Sequence, residues 1–152
     1  MTTPHFMDAE HSLPYRLNGL LFQEGGYSSD FAMPTHSHAE ARLVLVLQGV
    51  VKHVCRKQDH LLTPSTLAFI PAEEPHSDHF REGVKAFIIG LEAPWLERYR
   101  SLSPFLRLPA EYKNSLPVWI ATRLHREFQA LDTLTPLLLE GLTLELLAET
   151  GR

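Results

Sequence analysis

Between residues 15 and 91 the apolar side chains come in short runs that alternate with polar ones or stop at Gly, Pro, Asn or Asp, the period-two pattern of half-buried strands. The longest run, 36–49, reads His-Ser-His-Ala-Glu-Ala-Arg-Leu-Val-Leu-Val-Leu-Gln-Gly behind a turn signal at Met33-Pro34-Thr35, and predicts one strand ending at Gly49. Further strands are predicted over 15–23 and on to Phe31 with a break at Gly25-Gly26, over 50–57, over 60–63 after a turn at Gln58-Asp59, over 66–71 and over 84–91. Residues 1–14, with two prolines, suit an arm or a first edge strand. Several short strands with no helix among them predict a sandwich or small barrel, and a jelly roll closes such a set without long exposed edges.

The period changes after Leu91. A short helix is expected over 94–100 and a connecting loop over 103–109; from Pro117 onward Ile120, Leu124, Phe128 and Leu131 recur at helical spacing. A last helix has Thr135 as N-cap, Pro136 at its first turn and Gly151 just past its end. The predicted class is mainly β with α: a jelly-roll barrel over 1–91, then a helical tail over 92–152 whose hairpin packs on the barrel as one unit. Seven leucines on the last helix cover more of its circumference than the barrel and a partner helix can bury. A homodimer through Leu138, Leu142 and Leu146 is therefore expected.

Composition sets limits. The 152 residues, 44% hydrophobic and 21% charged, fit one ordinary globular domain. A net charge of -4 with no concentration of Lys and Arg gives this chain alone no grip on nucleic acid. One cysteine, Cys55, excludes an internal disulfide, and the first residues lack the apolar core of a signal peptide. No apolar run approaches about 18 residues, so a cytoplasmic protein without a membrane span is expected.

Candidate chemistry gathers on the 36–49 run. On one strand His36 and His38 share a face, about 6.6 Å apart at a rise of about 3.3 Å per residue, and a neighbouring strand could add a third group. His76, at the end of Pro71-Ala-Glu-Glu-Pro-His76, is the candidate. The two segments resemble the paired motifs of the cupin superfamily: His-x-His, a carboxylate and a closing glycine, then Pro-x-Gly-x-x-His. The resemblance implies one divalent metal on His36, His38 and His76, zinc or nickel in view of the imidazoles. It departs at two places. Arg42 stands where the family's metal-binding glutamate usually is, and Glu73 replaces the second motif's glycine.

A guanidinium about 6 Å from a dication repels it by about 5 kcal/mol at an effective dielectric near 20, so Arg42 turns away, pairs with Glu40 or leaves the site without metal. Arg42 and Glu40 are then candidate ligand-binding residues, Arg42 for a carboxylate or phosphate. The other reading of the three histidines is structural, as hydrogen-bonded groups lining a barrel mouth. His5, His11, His53, His60 and His125 suit solvated positions, Asp78 and His79 a rim, Cys55 a buried apolar site, and Trp95 and Trp119 packing anchors. Val44, Val46, Leu67 and Phe69 line either a pocket or a packed interior.

Followed by Trp119-x-x-x-Arg123-Leu124-x-x-Glu127 and the leucine-rich helix, such a barrel resembles the N-terminal half of AraC-type transcription regulators. The resemblance implies a small-molecule sensing and dimerisation domain that binds an effector without turnover. The family's DNA-reading helix-turn-helix pair has no counterpart up to Arg152, so DNA is an expected partner only through that further part. The competing expectation is a metal-dependent cupin enzyme, an oxygenase or isomerase with iron or manganese on the same histidines; a metal-free structural cupin is the third.

Overall fold

Strands of 15 and 16 residues, Ala41–Cys55 and His76–Leu91, pair antiparallel along their length and organise the fold. The computed structural model describes residues 9–99, 101 and 104–152. In chain order the strands are β1 (Ala9–His11), β2 (Tyr15–Leu17), β3 (Leu20–Tyr27), β4 (Phe31–His36), β5 (Ala41–Cys55), β6 (Gln58–Leu62), β7 (Thr66–Ile70) and β8 (His76–Leu91). Helix α1 (Ala93–Glu97), a 3-10 turn at Pro104–Arg107 and β9 (Ala110–Lys113) lead to α2 (Leu116–Gln129) and α3 (Thr135–Thr150). The sheet order is β1-β3-β8-β5-β7-β9, with β2 added on β3, β4 on β8 and β6 on β5.

A 15-residue strand is about 50 Å long at about 3.3 Å per residue, too long for a small domain unless it bends. The bend lies where the β5–β8 register shifts between Val46 and Val50. There Gly49 takes a φ of +80°, and a Cβ on it would lie 2.8 Å from the Gly83 carbonyl oxygen. Gly49 therefore bends the strand and does not end it, and β5 continues to Cys55. Beyond the bend, β5 and β8 pair with β6 and β4 instead of β7 and β3, making the mostly antiparallel jelly roll.

Three further local expectations are corrected. Gly25-Gly26 is no turn: β3 runs through both, and a Cβ on Gly26 would run into the Val84 carbonyl oxygen. The tight turns fall at Asn18-Gly19 and at Arg56-Lys57, all four residues at positive φ, so Gln58-Asp59 begins β6. The 36–49 run is two strands: His36 ends β4, and residues 37–40 separate it from β5. Pro34 is tolerated in β4 because that strand pairs only with β8.

Side-chain parity divides the barrel. Leu43 and Leu45 on β5, Leu67 and Phe69 on β7, and Phe87 and Ile89 on β8 pack with Ile120 and Leu124 of α2 and Leu139, Leu142 and Leu146 of α3 in one buried cluster. The opposite parity, Arg42, Val44 and Val46 on β5 with Ala86 and Ile88 on β8, lines an internal cavity. Trp95 is buried, as expected of an anchor, whereas Trp119 is 70% exposed and is no part of the core. Cys55 is buried, and burial pushes its thiol pKa up.

The leucine face of α3 also differs from expectation. Leu142 and Leu146, at 6% and 0% exposure, are consumed by the chain's own core and offer nothing to a partner; Leu138 is half-buried. The outward stripe is Leu137, Gly141, Leu144 and Ala148, with Leu137 73% exposed and open space around Gly141. Among the described residues no helix is long and apolar enough to cross a membrane.

Candidate functional site

At the end of the cavity β4, the 37–40 segment and the start of β8 bring three imidazoles together. Ring centroids lie 4.8 Å apart for His36 and His38, 4.3 Å for His36 and His76, and 5.2 Å for His38 and His76. The cross-strand pairing of His36 with His76 makes this possible although His36 and His38 are not on one strand. One ring nitrogen from each lies within 4.8 Å of the others.

Two of the rings are oriented by the backbone. His36 donates from Nδ1 to the Pro34 carbonyl oxygen at 2.7 Å, and His76 from Nδ1 to the Glu74 carbonyl oxygen at 2.9 Å. A carbonyl can only accept, so both rings carry their proton on Nδ1 and keep Nε2 as a lone-pair donor, the arrangement in metal-ligating histidines. Burial holds His38 down to about pKa 4, with Arg42, His36 and His76 adding to the effect. His76 is also lowered by burial, against opposing pulls from the Glu74 carbonyl and Asp78. Neutral imidazoles at neutral pH are the form a divalent metal requires. The donor set thus fits a metal, softer and more nitrogen-rich than calcium or magnesium would take.

Arg42 does not oppose this. Its Nε and Nη2 donate to Glu40 Oε1 at 3.0 and 2.7 Å, and both side chains are 27% exposed. Burial is the largest single influence on Glu40 and pushes its pKa up, but the bonds and charge of Arg42, a backbone hydrogen bond and His38 together hold the carboxyl below its ordinary value. Of the ways open to Arg42 the chain takes the pairing with Glu40, which occupies that carboxylate. Arg42 still lines the cavity.

The cavity measures about 860 Å³. Its walls are aliphatic (Val44, Val46, Val51, Leu62, Val84, Ile88) and aromatic, with Tyr27 stacked between Phe31 and Phe80 at 4.8 and 4.5 Å. Val44 and Val46 therefore line the pocket, and Leu67 and Phe69 the helix-side core. Three polar residues in the lining escaped the sequence reading. His11 is no bystander: it lines the cavity from β1, its pKa lowered by burial and by Arg42. His53, expected in solvent, is 5% exposed and donates from Nδ1 to Asp78 Oδ1 at 2.7 Å. Asp78 is not a rim residue; it points inward two positions after His76, and that spacing was the available signal. His5 lies outside the described residues. His125 is also withdrawn from solvent, donating from Nε2 to Glu24 Oε1 at 2.6 Å.

Solved structures with this fold include a cupin superfamily protein from Desulfitobacterium hafniense DCB-2, at TM-score 0.52 and 16% identity, covering 57% of this chain and 79% of that one. A protein from Ralstonia eutropha JMP134, provisionally named a mannose-6-phosphate isomerase, matches at TM-score 0.52 and 17% identity over 57% of this chain and 87% of its own. An RmlC-like cupin from Shewanella frigidimarina NCIMB 400 matches at 0.51 and 15%, over 57% and 78%. The barrel thus has the cupin fold. The model of the AraC-like ligand-binding domain matches residues 17–147, and the chain belongs to that family. No curated protein matches it.

Proposed function

We propose that this domain senses a small anionic molecule with an apolar body on behalf of an AraC-type transcription regulator, by binding and not by turnover. DNA would be read by a helix-turn-helix part outside residues 1–152. The observation that carries the proposal is the placement of Arg42 in a cavity whose walls, away from the histidine cluster and Asp78, are mainly aliphatic and aromatic. Such a cavity suits an organic body, and the guanidinium, with N–H donors left after Glu40 takes two, suits a carboxylate or phosphate. The test is a thermal-shift and calorimetric screen of aromatic and alkyl carboxylates. Arg42→Met should weaken a hit by more than about 1.5 kcal/mol while leaving the Tm nearly unchanged. Equal binding of the uncharged amide of the same body would sink the role of Arg42.

The three imidazoles support one divalent ion, zinc or nickel, at the cavity end, where it would order the wall beside the effector. They also favour the second reading, a metal-dependent cupin enzyme using His36, His38 and His76, since imidazoles open to a cavity suit metal catalysis as well as sensing. Turnover of any cavity-binding compound by the metal-loaded protein would favour that reading. A homodimer belongs to the first reading, with its face moved to Leu134, Leu137 and Leu144, because these remain wholly or partly uncovered on the hairpin.

A further inference from the structure

We propose that Asp78 is a fourth protein ligand of the metal, supplying from β8 the carboxylate that Arg42 displaced from β5. The inference rests on the metal reading of the three histidines. Asp78 Oδ2 lies 3.8 Å from His76 Nε2, the nitrogen that its Nδ1 bond to Glu74 leaves free. Two donors that share one ion at about 2.1 Å each cannot be more than about 4.2 Å apart, so this pair already lies within reach of a common centre.

Among the described residues the carboxylate forms ion pairs with histidines alone, His53 and His76. Its side chain is only 13% exposed, and Oδ1 accepts from His53 Nδ1, whose own side chain is 7% exposed. The other acidic candidate, Glu40, is occupied by Arg42. A buried carboxylate needs a compensating positive charge or a full set of donors, and here one oxygen is satisfied while the second faces the histidine cluster. His53 fits the part of an outer partner. It stands directly across the β5–β8 ladder from Asp78 and fixes the carboxylate by a hydrogen bond to the oxygen that does not face His76.

The fourth ligand changes what the site is for. Three imidazoles alone leave zinc an open position, as in catalytic sites; three imidazoles and a carboxylate complete a tetrahedron, as in structural ones. A tetrahedral ion would brace the junction of β4, β5 and β8, and leave chemistry to neither metal nor bound effector. The carboxylate also lowers the formal charge of the loaded site from +2 to +1, which eases the presence of Arg42 nearby.

The test uses protein prepared without a metal-affinity step and stripped with chelator, then titrated with zinc against a competing chromophoric chelator. Asp78→Asn should bind zinc at least about 50-fold more weakly than the natural chain, since even outer-partner losses cost 10- to 100-fold. Asp78→Cys gives a readout that does not depend on comparing stabilities: zinc X-ray absorption should gain a sulfur neighbour at about 2.3 Å that the natural chain, with Cys55 alone, lacks. Zinc binding by Asp78→Asn equal to that of the natural chain overturns the assignment and leaves a three-histidine site standing. So does a zinc-loaded Asp78→Cys protein without the sulfur signal. A natural chain that takes up no zinc overturns both the assignment and the metal reading beneath it.

Discussion

Crowded against His36, His76 and the Arg42 guanidinium, the half-buried His38 ring takes a proton only near pH 4, whereas an unfolded chain's histidine does so near pH 6.5. Above about pH 6.5 both states leave it neutral and stability does not depend on it. As pH falls from about 6.5 toward 4 the unfolded state binds the extra proton and the folded state resists it, so stability declines; below about 4 the decline stops. His76, lowered in the same direction, adds to it. The melting temperature of the zinc-free protein should accordingly be flat above pH 7 and fall through that window, and His38→Gln should reduce the fall. A melting temperature that rises on acidification from pH 6.5 to 4.5 would contradict this picture.

The same scale shows what the sequence made readable. His36, His38, His76, Arg42 and Glu40 stand out because their types and spacing carry the chemistry. Asp78 does not, because the first half of β8, Ser-Asp-His-Phe-Arg-Glu after His76, contains too few apolar residues to register as a strand; His53 does not, because the loose alternation of 50–57 leaves its inward face unmarked. Of the inward positions in that half of β8, His76 and Asp78 are polar because they face the cavity and not a core, Phe80 alone is apolar, and hydrophobic periodicity is blind to such a strand.

Among the elements, the strands that pack under the helices and the two long helices were readable from their patterns, and the joints were not. Gly25-Gly26 carries a turn signal, but its glycines serve close approach: one admits the Val84 carbonyl, the other the ring of His11. The two differ in what a methyl group would meet. Gly26→Ala drives Cβ into backbone and should cost about 2 to 3 kcal/mol or more, since β8 has to move. Gly25→Ala meets only the His11 side chain, at 2.8 Å, which can swing aside, and should cost less than about 1 kcal/mol. Denaturant titrations of both variants check the order; equal losses would mean that β3 and β8 are more loosely paired than their register implies. Gly49 misleads in the same way, since a strand that bends and a strand that ends both call for glycine.

For the whole molecule, a leucine-rich helix after a barrel was enough to suggest self-association, but leucine content cannot say which leucines the chain itself will use. With Leu142 and Leu146 in the core, the proposed dimer depends on the hairpin's outward residues. Covering Leu134 and Leu137, at 61% and 73% exposure, contributes up to about 1.5 to 3 kcal/mol per side chain, so both chains together exceed the lower bound of about 4 kcal/mol for association. Light scattering should give about 35 kDa, twice the 17.3 kDa of one chain. Leu134→Glu combined with Leu137→Glu should return it to one chain with the barrel's melting unchanged, since both side chains are exposed. A concentration-independent monomer would exclude the dimer. The Glu24–His125 bond ties the pocket wall to this hairpin, since Glu24 lies on β3 between cavity-lining Gln23 and Gly25.

The alternation along β5 gives the domain's two tasks separate sets of positions. Residues 42, 44 and 46 meet whatever enters the cavity, while 43 and 45 belong to the core that the strands share with the helices. A substitution at Val44 can widen or narrow the range of compounds accepted without repacking the hairpin, and a change at Leu43 touches the scaffold without redrawing the cavity. Descendants of one such sequence can therefore diverge in what the cavity accepts while keeping the same core. Selection for a new signal and selection for a stable body fall on adjacent codons and leave one another undisturbed.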